Sequence, residues 1–138
     1  MNIQPYLFFN GRTEEALEFY RNTLGAEIMM KMRFKESPDQ HPGGVQPPPD
    51  AIMHACVRIG DSEVMASDGM TCTGQTSFSG FSLSYQAKDP ADAKRRFDAL
   101  AQGGQVQMPF GETFFAKAFG AVQDKFGVSW MIIAGQKQ

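Results

Sequence analysis

The sequence has almost no charge imbalance, few cysteines and no long apolar run, and each of these shortages narrows the range of possible functions. Its 138 residues carry 13 Lys and Arg against 15 Asp and Glu, a formal net charge of -2. No stretch gathers Lys or Arg into a stripe that could follow phosphates, so we expect no nucleic-acid partner. No apolar run is long enough to cross a bilayer, and the opening MNIQPYLFFN lacks the basic start and cleavage site of a signal peptide. We therefore expect a cytoplasmic protein without a membrane partner.

Cysteine is nearly absent, which argues against a disulfide framework. The chain has two cysteines, Cys56 and Cys72. A reducing cytosol would keep both as thiols, and neither lies in a basic motif that would activate a thiolate. We interpret them as two unpaired, small hydrophobic residues. The 42% hydrophobic content is enough for one ordinary domain with a buried core.

The first half of the chain predicts one strand, one helix and three further strands. The strand IQPYLFFN ends at Gly11, and TEEALEFYRNTLG has its apolar residues at helical spacing. A threonine with a glutamate partner starts this helix, and Gly25 stands where a helix C-cap belongs. Three strand-like runs follow, AEIMMKMRFK, AIMHACVRIG and SEVMASD, with a long Pro- and Gly-rich loop from Glu36 to Asp50 after the first.

The second half repeats this order. GFSLSYQAK is a strand, and DPADAKRRFDALAQGG predicts a helix with Asp89 as N-cap and Pro90 at its first position. Three strand-like runs follow, and no long loop interrupts them. The fold class is therefore α+β, with two tandem βαβββ modules at about residues 1–70 and 78–135 within a single domain of residues 1–138.

Several stretches together resemble the PhnB-like group of the vicinal oxygen chelate superfamily, which includes glyoxalase I, bleomycin-resistance proteins and extradiol dioxygenases. They are PYLFFNG with EALEFYRNTLGAE, HACVRIGDSEVMASD, SGFSLS and GETFFAKAFGAVQDKFGVSWMI, and they cover nearly the whole chain. The resemblance implies curved sheets that enclose a cleft, and two subunits that associate as a homodimer.

The same resemblance implies where a metal would bind. In the metal-dependent members, His, Gln and Glu ligands project from the first and last strands of each module. Here the four matching positions fall at about Pro5, at Val64 or Met65, within GFSLSY and at Met131. Glu63 is adjacent to the Val64 or Met65 position, but strand alternation is expected to point it to the other face. At most one of the four usual ligands is present. Methionine is a poor ligand for the ions of this superfamily, so we expect no metal and no other cofactor, although a divalent metal remains possible.

Four residues of the first module are candidates for a ligand site. Strand alternation places His54 on one face with Arg58, where the two could bind an anionic group, or where they could be a structural His and a solvent-facing Arg. Asp68 is either a turn-former or a residue at the cleft edge. Tyr6, on the first strand, could belong to an apolar pocket, or it could be a core or dimer contact. His41, in the long loop, is expected to be solvated, and the loop itself could be a lid.

The segment GETFFAKAFG supplies the candidates of the second module. Glu112 and Lys117 stand among phenylalanines that include Phe115, a mixture typical of an apolar pocket with a few polar groups. Burial there would shift either pKa toward a catalytic range. The alternative is a hairpin with its aromatic residues in a core or dimer contact. Met131 completes the set, while Trp130, on the other face of its strand, is expected to pack beneath a helix, and Asp124 is expected to begin a β-turn.

Two functions follow from different classes. The first is a small-molecule-binding protein without a metal, whose ligand the sequence does not name. The second is a metal-dependent lyase, isomerase or dioxygenase with ligands relocated to His54, Glu63 or Glu112. A methyltransferase of the usual kind would have a glycine-rich turn from a strand into a helix, whereas Gly103-Gly104 follows a helix. Links to phosphonates or to antibiotic sequestration rest on the resemblance alone.

Overall fold

The computed structural model describes residues 1–37, 47–70 and 72–137. The chain divides into two compact units, Met1–Thr76 and Ser77–Gln138, which we call unit 1 and unit 2. In the described residues each unit has one α-helix and a four-stranded sheet, and each repeats the order strand, helix, three strands. The predicted α+β class and the predicted repeat are confirmed.

Unit 1 carries one helix over one sheet. The strand order is β1-β4-β3-β2, with β1 parallel to β4 and the other pairs antiparallel. The elements are β1 (Tyr6–Phe8), α1 (Thr13–Leu24), β2 (Glu27–Arg33), a short 3-10 helix (Phe34–Glu36), β3 (Ile52–Ile59) and β4 (Ser62–Ser67).

The core of unit 1 lies between α1 and one face of its sheet. Leu17 and Tyr20 of the helix are buried, and the Tyr20 ring lies 6.1 Å from the ring of Phe9, which follows β1. Alternation along the strands sends further buried residues to the same side. These strand residues are Leu7, Ala55, Val57 and Ala66. Helix α1 does not cover the opposite side of the sheet, the side of Tyr6, Met65 and Cys56, which we call the open face of unit 1.

The two ends of α1 differ in how well the sequence predicts them. Gly25 caps the C-terminus at φ 69°, a left-handed conformation that glycine adopts without a Cβ clash, as predicted. The prediction of a threonine cap at the N-terminus is wrong, because Thr13 is already helical and Arg12 precedes it without a side-chain cap. Instead Asp68 accepts the backbone N–H of Thr13 at 2.9 Å, so a residue distant in sequence replaces the local cap.

Unit 2 has the equivalent arrangement. Its strand order is β5-β8-β7-β6, with β5 parallel to β8 and the other pairs antiparallel. The elements are β5 (Leu83–Gln86), α2 (Pro90–Ala101), β6 (Gln105–Gly111), β7 (Ala116–Gln123) and β8 (Ser129–Gln136). Asp89 caps α2 by accepting the Asp92 N–H, and Pro90 is its first residue, as predicted.

Trp130 and Asp124 fix the turn between β7 and β8. The Asp124 carbonyl accepts the Gly127 N–H at 2.9 Å, which makes the predicted β-turn. Its carboxylate accepts the backbone N–H groups of Phe126 and Val128 and, through the other oxygen, the indole N–H of Trp130 at 2.9 Å. Trp130 is buried beneath α2 in unit 2, as expected.

Most of the predicted long loop, with His41, lies outside the described residues. Its two ends are described, and they are tied together. The Phe34 N–H donates to the Ala51 carbonyl at 3.0 Å, and the Arg33 guanidinium donates to the Asp50 carbonyl at 2.7 Å. In the described ranges, no helix is long and apolar enough to cross a membrane.

Candidate functional site

The open face of unit 1 brings two of the predicted site residues into contact. Tyr6 of β1 pairs with Met65 of β4, and Met65 pairs with Cys56 of β3, so the three side chains share one face. Residues two positions away in each strand share that face as well, which adds Phe8 and His54. Tyr6 is 39% exposed and Phe8 56% exposed, whereas their neighbour Leu7 is buried on the helix side.

The phenol of Tyr6 is hydrogen-bonded to the imidazole of His54. The distance from Tyr6 Oη to His54 Nδ1 is 2.9 Å. The two rings lie 5.6 Å apart, and the Tyr6 ring stacks on Phe8 at 5.1 Å. Partial burial raises the pKa of Tyr6, an effect that a hydrogen bond from Ser67 opposes. The phenol therefore remains a hydrogen-bond donor at neutral pH.

Ser67 is a member of this site that the sequence reasoning missed. It is the last residue of β4, pairs with Phe8, and hydrogen-bonds to Tyr6. Its Oγ also accepts the backbone N–H of Gly69 at 2.9 Å. The signal was available in the strand alternation, because Ser67 lies two residues after Met65 in SEVMASD.

Arg58 lies on the same strand as His54 but does not join it. Its guanidinium pairs with Glu27 of β2 at 2.6 Å, and both side chains are largely exposed. This is the solvent-facing alternative of the two that the sequence left open. Every Lys and Arg of unit 1 is likewise within an ion pair with a carboxylate, namely Arg12, Arg21, Lys31, Arg33, Lys35 and Arg58. An anion at the open face of unit 1 would therefore have to compete with an existing carboxylate partner.

Asp68 has a structural role. It is only 3% exposed, and its carboxylate accepts three backbone N–H groups at 2.8–2.9 Å, from Gly11, Thr13 and Ile52. These contacts join the start of α1 and the start of β3 to the end of β4. All the contacts that the structure gives to this carboxylate are with the backbone of its own unit.

The two thiols of unit 1 are unpaired, and Glu63 lies beside one of them. Cys56 and Cys72 are both free, as predicted, and burial raises the pKa of each thiol. Glu63 accepts the Gln4 amide at 3.1 Å and lies 3.9 Å from the Cys56 sulfur, so it faces the open side with Met65. Glu63 therefore points away from the face of Val64, as expected, but it shares the face of Met65, which stands two residues away.

The candidates of unit 2 are spread along its sheet. Glu112 is exposed and pairs with Lys137, and this ammonium group lowers the pKa of the carboxyl. The expected upward shift by burial is therefore wrong for Glu112. Phe115 contacts Phe119 edge to face at 5.1 Å, and the stem of Lys117 crosses Gly135. Glu112 thus makes its hydrogen bond and ion pair with Lys137, while Lys117 contributes a smaller electrostatic effect on the Glu112 pKa.

Met131 stands at the position in unit 2 that Met65 occupies in unit 1. It pairs with Ser84 of β5, as Met65 pairs with Tyr6 of β1, and it is 37% exposed on the side of β8 opposite Trp130. The metal-ligand position of the first strand was expected at about Pro5. Pro5 precedes β1, so Tyr6 is the residue that occupies this position. The first and last strands of the two units therefore present a phenol, a hydroxyl and two thioethers. Across the described ranges, no group of three or more His, Cys, Asp or Glu residues is placed to hold a metal ion.

Comparison with known proteins places this architecture in a family. A sequence model of the family described as 3-demethylubiquinone-9 3-methyltransferase matches residues 1–133. Protein YjdN from Escherichia coli (strain K12) is 43% identical over 145 residues, covering 100% of this chain and 98% of YjdN. Protein PA1353 from Pseudomonas aeruginosa, of known crystal structure, is 39% identical with a TM-score of 0.84, and the alignment covers 99% of each chain.

More distant structures share the fold. The PhnB protein from Bacillus cereus is 28% identical with a TM-score of 0.77, over 98% of this chain and 100% of that chain. A glyoxylase/bleomycin resistance protein/dioxygenase domain from Frankia sp. has a TM-score of 0.60 at 14% identity, over 97% and 94% of the two chains. The chain therefore belongs to the PhnB-like family described as 3-demethylubiquinone-9 3-methyltransferase, and it shares its fold with the glyoxylase/bleomycin resistance protein/dioxygenase domain.

Proposed function

We propose that the protein binds a small, planar, apolar molecule on the open face of unit 1, at the Tyr6–His54 pair, without a metal ion. The observation that carries the proposal is the 2.9 Å hydrogen bond between these two side chains on a face otherwise lined by Phe8, Cys56 and Met65. A few polar groups among aromatic and sulfur-containing side chains are typical of ligand sites. The Tyr6 and Phe8 rings offer a stacking surface to a flat ligand.

The donor set is the reason for proposing a metal-free site. A divalent ion of the usual kind needs several N or O ligands that converge. On the first and last strands of unit 1, the open face offers Tyr6, Met65 and Glu63, and Glu63 already accepts hydrogen bonds from two neighbours. Among the relocated ligands considered from sequence, Glu112 is paired with Lys137, and within the described residues His54 belongs to no group of three or more His, Cys, Asp or Glu side chains placed to hold a metal ion. These residues do not fit a metal centre.

Methyl transfer, which the family description names, has little support in this chain. A methyl-donor site of the usual kind uses a glycine-rich turn from a strand into a helix. The connection from β1 to α1 contains one glycine, Gly11, and the connection from β5 to α2 contains none. We therefore favour binding over methyl transfer.

Nuclear magnetic resonance with small aromatic probes tests the binding proposal. Acetophenone, benzyl alcohol and indole are titrated into the ¹⁵N-labelled protein. We expect saturable shifts centred on Tyr6, Phe8 and His54, lost in Tyr6→Ala and retained in Arg58→Gln, a change on the same sheet face. Shifts elsewhere, or none that saturate, would contradict the proposal.

Elemental analysis tests the metal-dependent alternative. The untagged protein is analysed as isolated and after incubation with Zn, Ni, Mn and Fe(II) followed by desalting. Retention of about one metal ion per chain, lost in His54→Gln, would replace the binding proposal with a metal-dependent lyase, isomerase or dioxygenase. We expect no retained metal.

We also propose that the protein acts as a cytoplasmic homodimer. The outermost strands β2 and β6 expose apolar side chains, among them Met29, Met30, Val106 and Met108. Association of two chains would remove such surfaces from water. Light scattering after size exclusion tests this, and we expect Val106→Lys or Met29→Lys to shift the mass toward that of one chain.

A further inference from the structure

A series of hydrogen bonds connects Gly69, Ser67, Tyr6 and His54, and the direction of donation along it determines which atom of His54 accepts. The Gly69 N–H donates to Ser67 Oγ at 2.9 Å, and Ser67 hydrogen-bonds to Tyr6 Oη. The other acceptor near Ser67 is the Ile52 carbonyl at 3.4 Å, well beyond the usual length of an O–H···O bond, about 2.7–2.8 Å. Because that contact is long, we assign the Ser67 proton to the phenol oxygen, and the 2.9 Å contact from Tyr6 Oη to His54 Nδ1 then receives the proton of the phenol.

His54 Nδ1 is the acceptor at the end of this chain of hydrogen bonds. Burial raises the pKa of Tyr6, so its oxygen keeps the proton that it donates. In a neutral imidazole one nitrogen carries a proton and the other accepts. Assigning Nδ1 as the acceptor of the 2.9 Å bond from Tyr6 places the proton of the neutral ring on Nε2. Within the described residues, Nε2 has no hydrogen-bond partner, so this N–H is available to a ligand.

The charges of unit 1 select against an anionic ligand. Each of its Lys and Arg side chains is held by a carboxylate, and Arg58, on the strand of His54, is held by Glu27. An acidic residue, Glu63, also lies on the open face, where its carboxylate is 3.9 Å from the Cys56 sulfur. A carboxylate or phosphonate would therefore meet repulsion without a compensating cation.

We infer that the ligand of the Tyr6–His54 site is a neutral, planar carbonyl compound whose oxygen accepts a hydrogen bond from His54 Nε2 while its conjugated system stacks on Tyr6 and Phe8. This inference rests on the proposed function and specifies its ligand class. A hydroxyl-free hydrocarbon lacks the acceptor, and an anion lacks the counter-charge. A neutral carbonyl group satisfies both conditions.

The tautomer of His54 can be read directly from imidazole ¹⁵N shifts. The chain has two histidines, so the signals are assigned by comparison with His54→Gln. In the neutral ring we expect a pyridine-type shift for Nδ1 and a pyrrole-type shift for Nε2. A pyrrole-type Nδ1 would overturn the inference and leave the binding proposal standing.

Three isosteric probes test the ligand class: acetophenone, α-methylstyrene, in which C=CH₂ replaces C=O, and benzoate. We expect acetophenone to bind about three- to tenfold more tightly than α-methylstyrene, the ratio of one neutral hydrogen bond. His54→Phe should abolish this ratio, whereas His54→Gln, which retains an N–H donor, should keep part of it. Equal affinity for the two neutral probes, or tighter binding of benzoate, refutes the ligand class alone. Failure of all three probes to bind, with the expected tautomer present, refutes the proposed function and the ligand class with it.

Discussion

Replacing Asp124 by Asn should destabilise unit 2 through a single misplaced donor. One carboxylate oxygen accepts two backbone N–H groups and the other accepts the Trp130 indole N–H at 2.9 Å. In Asp124→Asn the amide oxygen can serve the backbone, but the NH₂ group then faces the indole N–H. With both residues 3% exposed, neither donor reaches water. Two buried unsatisfied donors at about 1–3 kcal/mol each predict a loss of roughly 2–6 kcal/mol in the free energy of unfolding.

Urea denaturation followed by circular dichroism measures this loss. Trp130 is the chain's single tryptophan, so its fluorescence also reports the altered contact in the folded protein. Asp98→Asn is the matched control, since Asp98 is 56% exposed in its pair with Lys94 and should cost no more than about 0.5 kcal/mol. In the double variant with Trp130→Phe, the clash between the two N–H donors is absent. The stability loss of the double variant should therefore be smaller than the sum of the two single-variant losses by about 1 kcal/mol or more. A loss for Asp124→Asn within the range of the control would refute the reasoning.

Three further substitutions test other parts of the fold. Asp68→Asn should cost roughly 2–4 kcal/mol by urea denaturation, because one of three backbone donors then meets an amide N–H, and a neutral result would contradict its structural role. Gly120→Ala should cost about 1–3 kcal/mol, because its Cβ would lie 2.7 Å from the Phe97 ring, whereas Gly111→Ala, with open space, should not. Glu14→Gln should cost at most about 1 kcal/mol at neutral pH. Hydrogen bonds from its lysine and arginine partners lower the Glu14 pKa below the usual 4.5. The stabilisation by Glu14 is therefore present above pH 4.5 and disappears as the pH falls through the lowered pKa. A stability difference between wild type and Glu14→Gln that does not change with pH would argue against this.

The order of elements was readable from sequence because its signals are local. A glycine such as Gly25 ends a helix through its own backbone, and Asp89 caps a helix through a residue three positions away. Alternation along β3 placed His54 correctly on a face without any knowledge of its neighbours. Each of these inferences needs only residues within about two turns or a few strand positions.

The contacts of the site were not readable, because they join residues distant in sequence. Tyr6 meets His54 only through the register of β1 on β4 and of β4 on β3, which no local pattern specifies. Asp68 could be recognised as a turn residue, but the three backbone donors that surround it come from two other parts of unit 1. Likewise, Glu112 was assigned to a pocket from the phenylalanines around it. Its partner Lys137 lies far along the sequence, after β8, so no local pattern indicated the ion pair.

The parallel pairing of β1 with β4 has a consequence for synthesis on the ribosome. Among the described strands, the one that is translated first, β1, pairs only with β4, the last strand of its unit. While β2 and β3 can already pair as they emerge, Leu7 and Phe9 must wait for Ala66 and its neighbours before they are covered. We therefore expect a nascent chain to resist proteolysis near β1 only after Ser67 has left the exit tunnel. The strand made first is the one that joins the sheet last.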